Sequence, residues 1–512
     1  MATSYSSQHK KHVAAITAAA PKSAGQKALA FFEKFFAHAT IHNLDSITPA
    51  RAAQIALMCE KFYATRAKSG PKLSVEQVKV TEGSRHVART QVIVLNDDMP
   101  FLVDSLSALF TSLGLTIHLM FHPILQGTRD SKGALTATAK NTRAESLMYI
   151  ELSPLPSTLT TDQLIAKIQS VLQHVAAGVA DWATMRERTQ QLAEKFAKPI
   201  TGIAPEEVTE THDLLLWLAS NHFVFLGMAE FKPSGTKLKF NEESALGIYR
   251  LPPDMKGNIE DSTAPITQGL ISVLKASSFS MVHRAAPMDL ITIKLLGKGG
   301  KQEGELRILG LFTSTVYYRE TQYIPFLRRK AAAVLTRAGF NPSGHSGKAL
   351  KTVLEFLPRD ELFQMDEERL FATAMGIVSL EAKPRVRLFV RPDAFERFVS
   401  AMIYLPRERF TSDLRDSVVR MLERAYSGRS TAFYTQLTDS PLARLHVFIE
   451  TTPGKLPEVD ETALEEHIAA RANIWSDALR DAVLTEFGDE AGTPIVQSFK
   501  DAFPPAYINN TS

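Results

Sequence analysis

The chain has 512 residues, 45% of them apolar, a formal net charge of +3 and a single cysteine. That length exceeds what one hydrophobic core serves and implies about three or four domains, while the balanced charge, without runs of about five like charges, argues against a polyanion binder. Cys59 alone excludes an internal disulfide or a thiolate cluster and reads as a small buried apolar residue on a helix; no stretch approaches the roughly 20 apolar residues of a membrane span, and the first residues lack a signal peptide's apolar core, which together predict a soluble cytoplasmic protein.

Residues 1 to about 20 are polar and alanine-rich and read as a frayed terminus. Helical patterning follows over 28–36 and 49–66, with Ser46-Ile47-Thr48 as a cap before Pro49. Ser69-Gly70-Pro71 is a linker signal, after which 73–80 and 86–95 read as strands. Leu102, Leu106, Leu109 and Leu113 recur at helical spacing, with Pro100 suited to a first helical position and Gly114 able to end the helix. Residues 116–125 then alternate, Ile117, Leu119 and Phe121 on a face meant for that helix, His118, Met120 and His122 on a face free for a partner or ligand. A strand over 147–152 and a helix over 160–179 complete a βαββα order, a ferredoxin-like unit without its last strand. A further helix through Trp182 and Met185 to Phe196 leads out, and Pro199 marks a boundary.

The block from about 205 to 330 predicts antiparallel β structure after a helix over 205–220, with strands at 222–231, 248–251, 271–275, 290–296 and 305–312. Lys298-Gly299-Gly300-Lys301 reads as a turn between two of them. Helices follow from Thr321 to Phe340 and over 348–356. The last block predicts strands at 386–391 and 398–404, a helix over 412–425, strands at 432–436 and 445–450, and mostly helix over 461–487. That is a ββαββα order, a second layer sandwich of related architecture.

Each constellation with chemical potential has a plainer alternative. Gly344-His345-Ser346-Gly347-Lys348 ends like a phosphate loop, but Pro342 stands where the first glycine belongs and Ala349 where a metal-binding hydroxyl belongs. Gly297, Gly299 and Gly300 sit in a β-turn, so no dinucleotide fingerprint opens a helix. His118 and His122 share a strand face, an arrangement commoner for satisfied histidines than for metal ligands. Asp360 and Glu361 are helix neighbours that point apart, reading as acids at a helix start rather than a catalytic pair. Neither Ser146-x-x-Tyr149 nor Ser277, Ser278 and Ser280 beside His283 has an acid at a spacing that suits a nucleophile. Arg385, Arg387, Arg391, Arg397, Arg407 and Arg409 read as a solvated or interdomain face paired with Asp393, Glu396 and Glu408. The interleaved Phe389, Phe395, Phe398 and Phe410 have core spacing as much as base-stacking spacing, so nucleic acid is not expected.

Several long stretches resemble the large bacterial NAD-dependent glutamate dehydrogenases. They include Asn96-Asp97-Asp98-Met99-Pro100-Phe101-Leu102-Val103-Asp104-Ser105, Phe121-His122-Pro123-Ile124-Leu125, Ala338-Gly339-Phe340-Asn341-Pro342-Ser343-Gly344-His345, Pro358-Arg359-Asp360-Glu361-Leu362 and Leu405-Pro406-Arg407-Glu408-Arg409-Phe410. The resemblance implies an α+β, multidomain fold: ferredoxin-like, ACT-like layer sandwiches plus an antiparallel β block and flanking helices. It implies an N-terminal helical segment (1–70), a first ACT-like domain (71–198), a mixed antiparallel block with flanking helices (199–384), a second ACT-like domain (385–490) and a truncated tail (491–512). Family members continue beyond a segment like Phe503-Pro504-Pro505-Ala506-Tyr507 into a catalytic region, so no catalytic residue, metal or cofactor is expected in this chain and NAD belongs to the complete enzyme.

The expected role is therefore regulation or assembly of a glutamate dehydrogenase, with the chain inactive alone. Expected partners are further copies joined through the ACT-like domains, the catalytic region, and an amino-acid effector, but no membrane. The alternative is a free-standing ACT-type amino-acid-binding regulator acting in trans. ACT-like domains take ligands at the turn after the first strand, which here is Asn96, Asp97, Asp98, Met99, Pro100 and Phe101. Asp97 and Asp98 suit an α-ammonium group and the helix amides a carboxylate. Phe101 stands where the usual ACT pattern has a glycine after the proline, and a bulky residue there fills ligand space, which favours scaffolding.

Overall fold

The computed structural model describes residues 2–67, 70–82, 85–136, 142–234, 237–256, 269–437, 440–472, 475–499 and 502–504. Part of the expected tail, including Ile508 to Ser512, lies outside them. The architecture is α+β, with three antiparallel sheets and flanking helices.

The chain opens with α1 (Ala2–Ala18), α2 (Gln26–Phe36), α3 (Ile41–Asp45) and α4 (Pro49–Tyr63). α1 is not a frayed end. Ile16 is buried, His9 Nε2 lies 2.9 Å from the Phe36 carbonyl, and His12 pairs with Asp45 at 3.1 Å. α2 buries Phe31, Phe32, Phe35 and Phe36 against the small side chains Ala52, Ala53, Ala56 and Cys59 of α4, and burial pushes the Cys59 thiol well above its usual range. As expected, Pro49 starts α4 and Thr48 caps it, Oγ1 accepting from Arg51 N at 3.3 Å.

These helices cover one face of a sheet built from β1 (Lys72–Glu82), β2 (Arg85–Asp97), β3 (Ile117–Phe121), β4 (Ile124–Arg129), β5 (Leu135–Thr136) and β6 (Arg143–Leu152). The strand order is β1-β2-β6-β4-β5, with β3 also on β6. α5 (Leu102–Ser112) and α6 (Thr161–Lys195) lie on the other face. Val92, Val94, Met148 and Ile150 pack with Leu102, Leu106 and Phe110 of α5, whereas Ile93, Leu95, Leu147 and Tyr149 join Leu119 and Phe121 against α2 and α4. The chain's own N-terminal helices thus cover the face that carries Leu119 and Phe121, which was expected to meet α5, while of the face expected to be free His118 is exposed and Met120 packs in the α5 cluster. Residues 116–125 are not one strand: His122 and Pro123 separate β3 from β4, because proline has no N–H to give the ladder. Nor does Pro100 begin α5; Phe101 caps it in a left-handed conformation at φ 72° and the helix starts at Leu102. Gly114, at φ +70°, ends it as expected.

α6 is one continuous helix where the sequence suggested two. A capping box of Thr160 and Gln163 opens it, and over 35 residues it spans about 50 Å. Its first half packs on the first sheet through Leu164, Ile168 and Val175, and its second half on the middle block through Met185 and Leu192.

The middle block comprises α7 (Pro205–Trp217), β7 (Phe223–Ser234), β8 (Lys237–Phe240), β9 (Leu246–Gly247), α8 (Pro253–Lys256), β10 (Ile271–Phe279), β11 (Pro287–Leu296) and β12 (Gln302–Phe312), in sheet order β10-β11-β12-β7-β8. The Lys298 to Lys301 turn is the β11–β12 hairpin, with Gly299 and Gly300 at φ 74° and 75°. The strand expected at 248–251 is instead a 3-10 turn. Gly247, at φ 61°, bends the chain out of the ladder at a point with no room for a side chain, since an added Cβ would lie 2.1 Å from the Leu226 carbonyl oxygen.

Helices α9 (Ser314–Tyr318), α10 (Leu327–Ala338), α11 (His345–Phe356), α12 (Arg359–Gln364) and α13 (Glu367–Ala382) lead to the last unit. The helix expected from Thr321 begins only at Leu327, after Phe326 at φ 72°. β13 (Arg387–Pro392), β14 (Phe398–Pro406), α14 (Ser412–Ala425), β15 (Arg429–Leu437), β16 (Leu442–Glu450) and α15 (Glu461–Ala472) then form the expected ββαββα unit, with sheet order β13-β14-β16-β15, followed by α16 (Trp475–Phe499).

Candidate functional site

The turn between β2 and α5 is where the sequence placed a ligand. Asn96 is buried and its Nδ2 donates to Asp97 O at 3.1 Å. Asp97 accepts from Arg66 Nη1 at 2.7 Å, and the same Nη1 donates to Glu145 Oε1 at 3.0 Å, an oxygen that also accepts from Arg129 Nε at 2.8 Å. Asp98 donates its backbone N–H to Ala144 O at 2.9 Å and faces His122. Burial pulls His122 below its ordinary value against the opposing pull of Asp98, and its Nε2 lies 2.7 Å from Ser146 Oγ. Met99 and Phe101 pack on the apolar cluster of the first sheet, and Pro100 is exposed.

What stands in front of Phe101 is another part of the chain. The β10–β11 connection presents His283, also left-handed at φ 68°. Its backbone N–H donates to Ser105 Oγ at 2.9 Å, its Nδ1 lies 3.0 Å from Asp104 Oδ2, and its ring centroid is 5.3 Å from that of Phe101. Ser105 Oγ in turn donates to Phe101 O at 2.6 Å. The connection is itself fastened: Ser280 N donates to Ala286 O at 2.8 Å, and Arg284 Nη2 to Phe312 O at 2.9 Å. Two non-glycine residues held at positive φ face each other here, a conformation that persists only where surrounding contacts over-determine it. The six turn residues therefore serve three neighbours: Asp97 serves Arg66, Asp98 serves His122, and Phe101 serves His283. The arrangement is not a nucleophile's, because the His283 backbone and not its ring meets Ser105.

A second cluster joins the middle block to the last unit. Asp360 and Glu361 point apart, as their adjacency requires. Asp360 lies 3.0 Å from Lys275 Nζ, which donates to buried Asp289 at 2.6 Å. Burial opposes the Lys275 charge, but Asp289 and Asp360 outweigh it and hold the ammonium above its usual range. Glu361, wholly buried, accepts from Arg391 Nε at 2.6 Å and Nη2 at 2.8 Å and from Ser400 Oγ at 2.8 Å, while His446 Nε2 lies 2.7 Å from that hydroxyl. Burial would raise the Glu361 carboxyl; Arg391 and His446 overcome it and hold it far below the usual carboxylate range. Arg397 pairs with Asp393 at 2.6 Å and reaches Ser277 Oγ at 3.0 Å, and Arg387 pairs with Glu465 at 3.1 Å. Three of the arginines are thus positioned by Glu361, Asp393 and Glu465, of which only Asp393 was expected.

The remaining motifs are structural. Gly347 is buried beneath the Asn341 carbonyl at the start of α11 and Lys348 is exposed, so no phosphate cradle forms. The Gly297 to Gly300 run closes a hairpin and opens no helix, which does not fit a dinucleotide. His118 is exposed, and among the described residues no group of three His, Cys, Asp or Glu is placed to hold a metal ion.

With this geometry in view, residues 31–168 match the glutamate dehydrogenase ACT1 domain, residues 324–383 its helical motif 1, and residues 387–476 its ACT2 domain. The chain matches three glutamate dehydrogenase domains. Similar proteins include the NAD-specific glutamate dehydrogenases of Pseudomonas aeruginosa, 32% identical over 94% of this chain, of Halomonas elongata, 34% identical over 86%, and of Mycobacterium tuberculosis, 24% identical over 90%. The chain spans 31%, 28% and 29% of those proteins, under a third of each. The ACT1 match begins inside α2, in keeping with the packing of α2 and α4 on the first sheet. Arg66, Glu145, Ser400 and His446 were not legible as site residues, and His283 and Arg391 were weighed in the sequence without the partners the structure gives them. One signal was available: Val92-Ile93-Val94-Leu95 is apolar without alternation, the mark of a strand covered on both faces.

Proposed function

We propose that this chain is the non-catalytic, N-terminal regulatory and assembly region of a cytoplasmic NAD-dependent glutamate dehydrogenase. The complete enzyme would convert L-glutamate and NAD to 2-oxoglutarate, ammonium and NADH, with both substrates held by a catalytic region outside this sequence. The observation that carries the reading is the 508-residue alignment with the Pseudomonas aeruginosa enzyme, which takes in 94% of this chain and only 31% of the relative. The packing favours scaffolding over effector sensing at the β2–α5 turn, since His283 occupies the space before Phe101. An amino acid would have to displace that connection.

The test is co-purification. The tagged chain is expressed with a separately encoded catalytic region from the Pseudomonas aeruginosa relative; the expected result is a stable complex, and no NAD reduction with L-glutamate by the chain alone. A chain that stays apart and binds an amino acid saturably, with binding lost in Asp98→Ala, would replace this reading with a free-standing regulator.

A further inference from the structure

The middle sheet carries a cleft of about 420 Å³, open to solvent between the C-terminal end of α6 and the β11–β12 hairpin. It lies in the part of the chain that none of the three domain matches covers. Its floor is apolar, from Leu192 and Phe196 at the end of α6 and Leu295 on β11. Its rim gathers three ammonium groups from three separate elements: Lys195 closes α6, Lys232 is on β7 and Lys294 on β11.

Charge decides what such a space accepts. Two carboxylates line it, Glu230 and Glu303, and Glu230 is already paired with Arg188. Glu303 folds over Gly297, where an added Cβ would meet its Oε1 at 1.8 Å, so this acid lies along the hairpin. Lys294 also faces Glu305. The rim therefore keeps an excess of positive charge over an apolar floor, and low-dielectric walls concentrate the field of like charges. A volume of this size falls in the range of small-molecule sites; here the exposed lining is more polar than apolar, so the placed charges lead in selecting a ligand and the apolar floor receives its body.

We propose that this cleft binds a small organic anion with an apolar body, an aliphatic dicarboxylate whose chain lies on Leu192, Phe196 and Leu295 and whose carboxylates meet Lys195, Lys232 and Lys294. The assignment is independent of the dehydrogenase reading. Because α6 also packs on the first sheet, a ligand here touches the element that both blocks share.

Calorimetric titration of the full chain with adipate tests it, beside inorganic phosphate, which lacks the apolar body, and 1,6-hexanediol, which lacks the charge. Adipate is expected to bind saturably with a sub-millimolar Kd, and the other two not to compete. Lys195→Gln/Lys232→Gln should weaken adipate by about tenfold with an unchanged melting temperature, since both lysines are exposed and support no packing. Adipate should also slow hydrogen exchange in segments 192–200 and 294–303. Absence of saturable adipate binding, equal competition by phosphate or hexanediol, or full affinity in the double variant would overturn the assignment.

Discussion

At the residue scale, the chain spends its charged groups on fastening. Lys330 is the clearest case: it is buried on α10, and its Nζ donates to the carbonyls of Leu362, Phe363 and Met365 at 3.1, 2.8 and 2.6 Å. Burial pulls its pKa from 10.5 down to about 8. A base depressed in the folded state binds fewer protons there than in the unfolded chain between those values, so stability rises as pH climbs from about 8 to 10.5 and the ionised form is the disfavoured one below that window. Urea denaturation across this range is expected to show an alkaline gain of up to about 3 kcal/mol, and Lys330→Met to flatten that component of the slope. An unchanged slope in the variant would remove Lys330 as its source. Nothing in the run Phe326-Leu327-Arg328-Arg329-Lys330 marks the last lysine as buried, because its acceptors lie more than thirty residues away and are backbone atoms.

At the element scale, local pattern was a good guide and coverage a poor one. The helical stripe of α5, the capping of α4 by Thr48, the β11–β12 turn and the whole ββαββα order follow from spacing and turn chemistry that neighbouring residues carry themselves. The failures are where distant packing overrides local preference. α6 continues through residues 179–182, with Gly178 against Leu226 of β7, and the Leu119 and Phe121 face of β3 meets α2 where α5 was expected. Phe121 makes the second point testable. Its ring centroid lies 5.7, 5.2 and 6.4 Å from those of Phe35, Phe36 and Tyr149, so Phe121→Ala should cost about 3–5 kcal/mol in denaturant unfolding. A cost below about 1 kcal/mol would mean that α2 is not docked on this sheet.

At the scale of the whole molecule, the sheet edges differ in how they are protected. Glu465 accepts from Leu388 N at 2.8 Å and Arg369 donates to Val390 O at 3.1 Å, which blocks the β13 edge. The β1 edge carries Lys72, Glu76 and Lys79, and β8 carries Lys239. β15 has no charged residue after Arg429 and exposes Phe433, Tyr434 and Leu437. An uncharged, solvent-facing edge is a template for strand addition. If the proposed assembly role runs through the last unit, Tyr434→Lys should shift the purified chain toward monomer in light scattering without changing its melting temperature. An oligomer indifferent to that substitution would place the contact elsewhere.

The length of α6 has a consequence for how this chain can be divided. The ACT1 match stops at residue 168, in the first half of the helix, whose remaining residues Val171, Leu172 and Val175 are still buried on the first sheet. A recombinant piece ended there would leave the sheet with a torn apolar seam, and one begun there would start with an unpaired half-helix. The matched ACT1 domain is therefore smaller than the unit of folding. Gene fusions, limited proteolysis and fragment expression should respect the second, with α6 inherited whole by whichever piece is to stand alone.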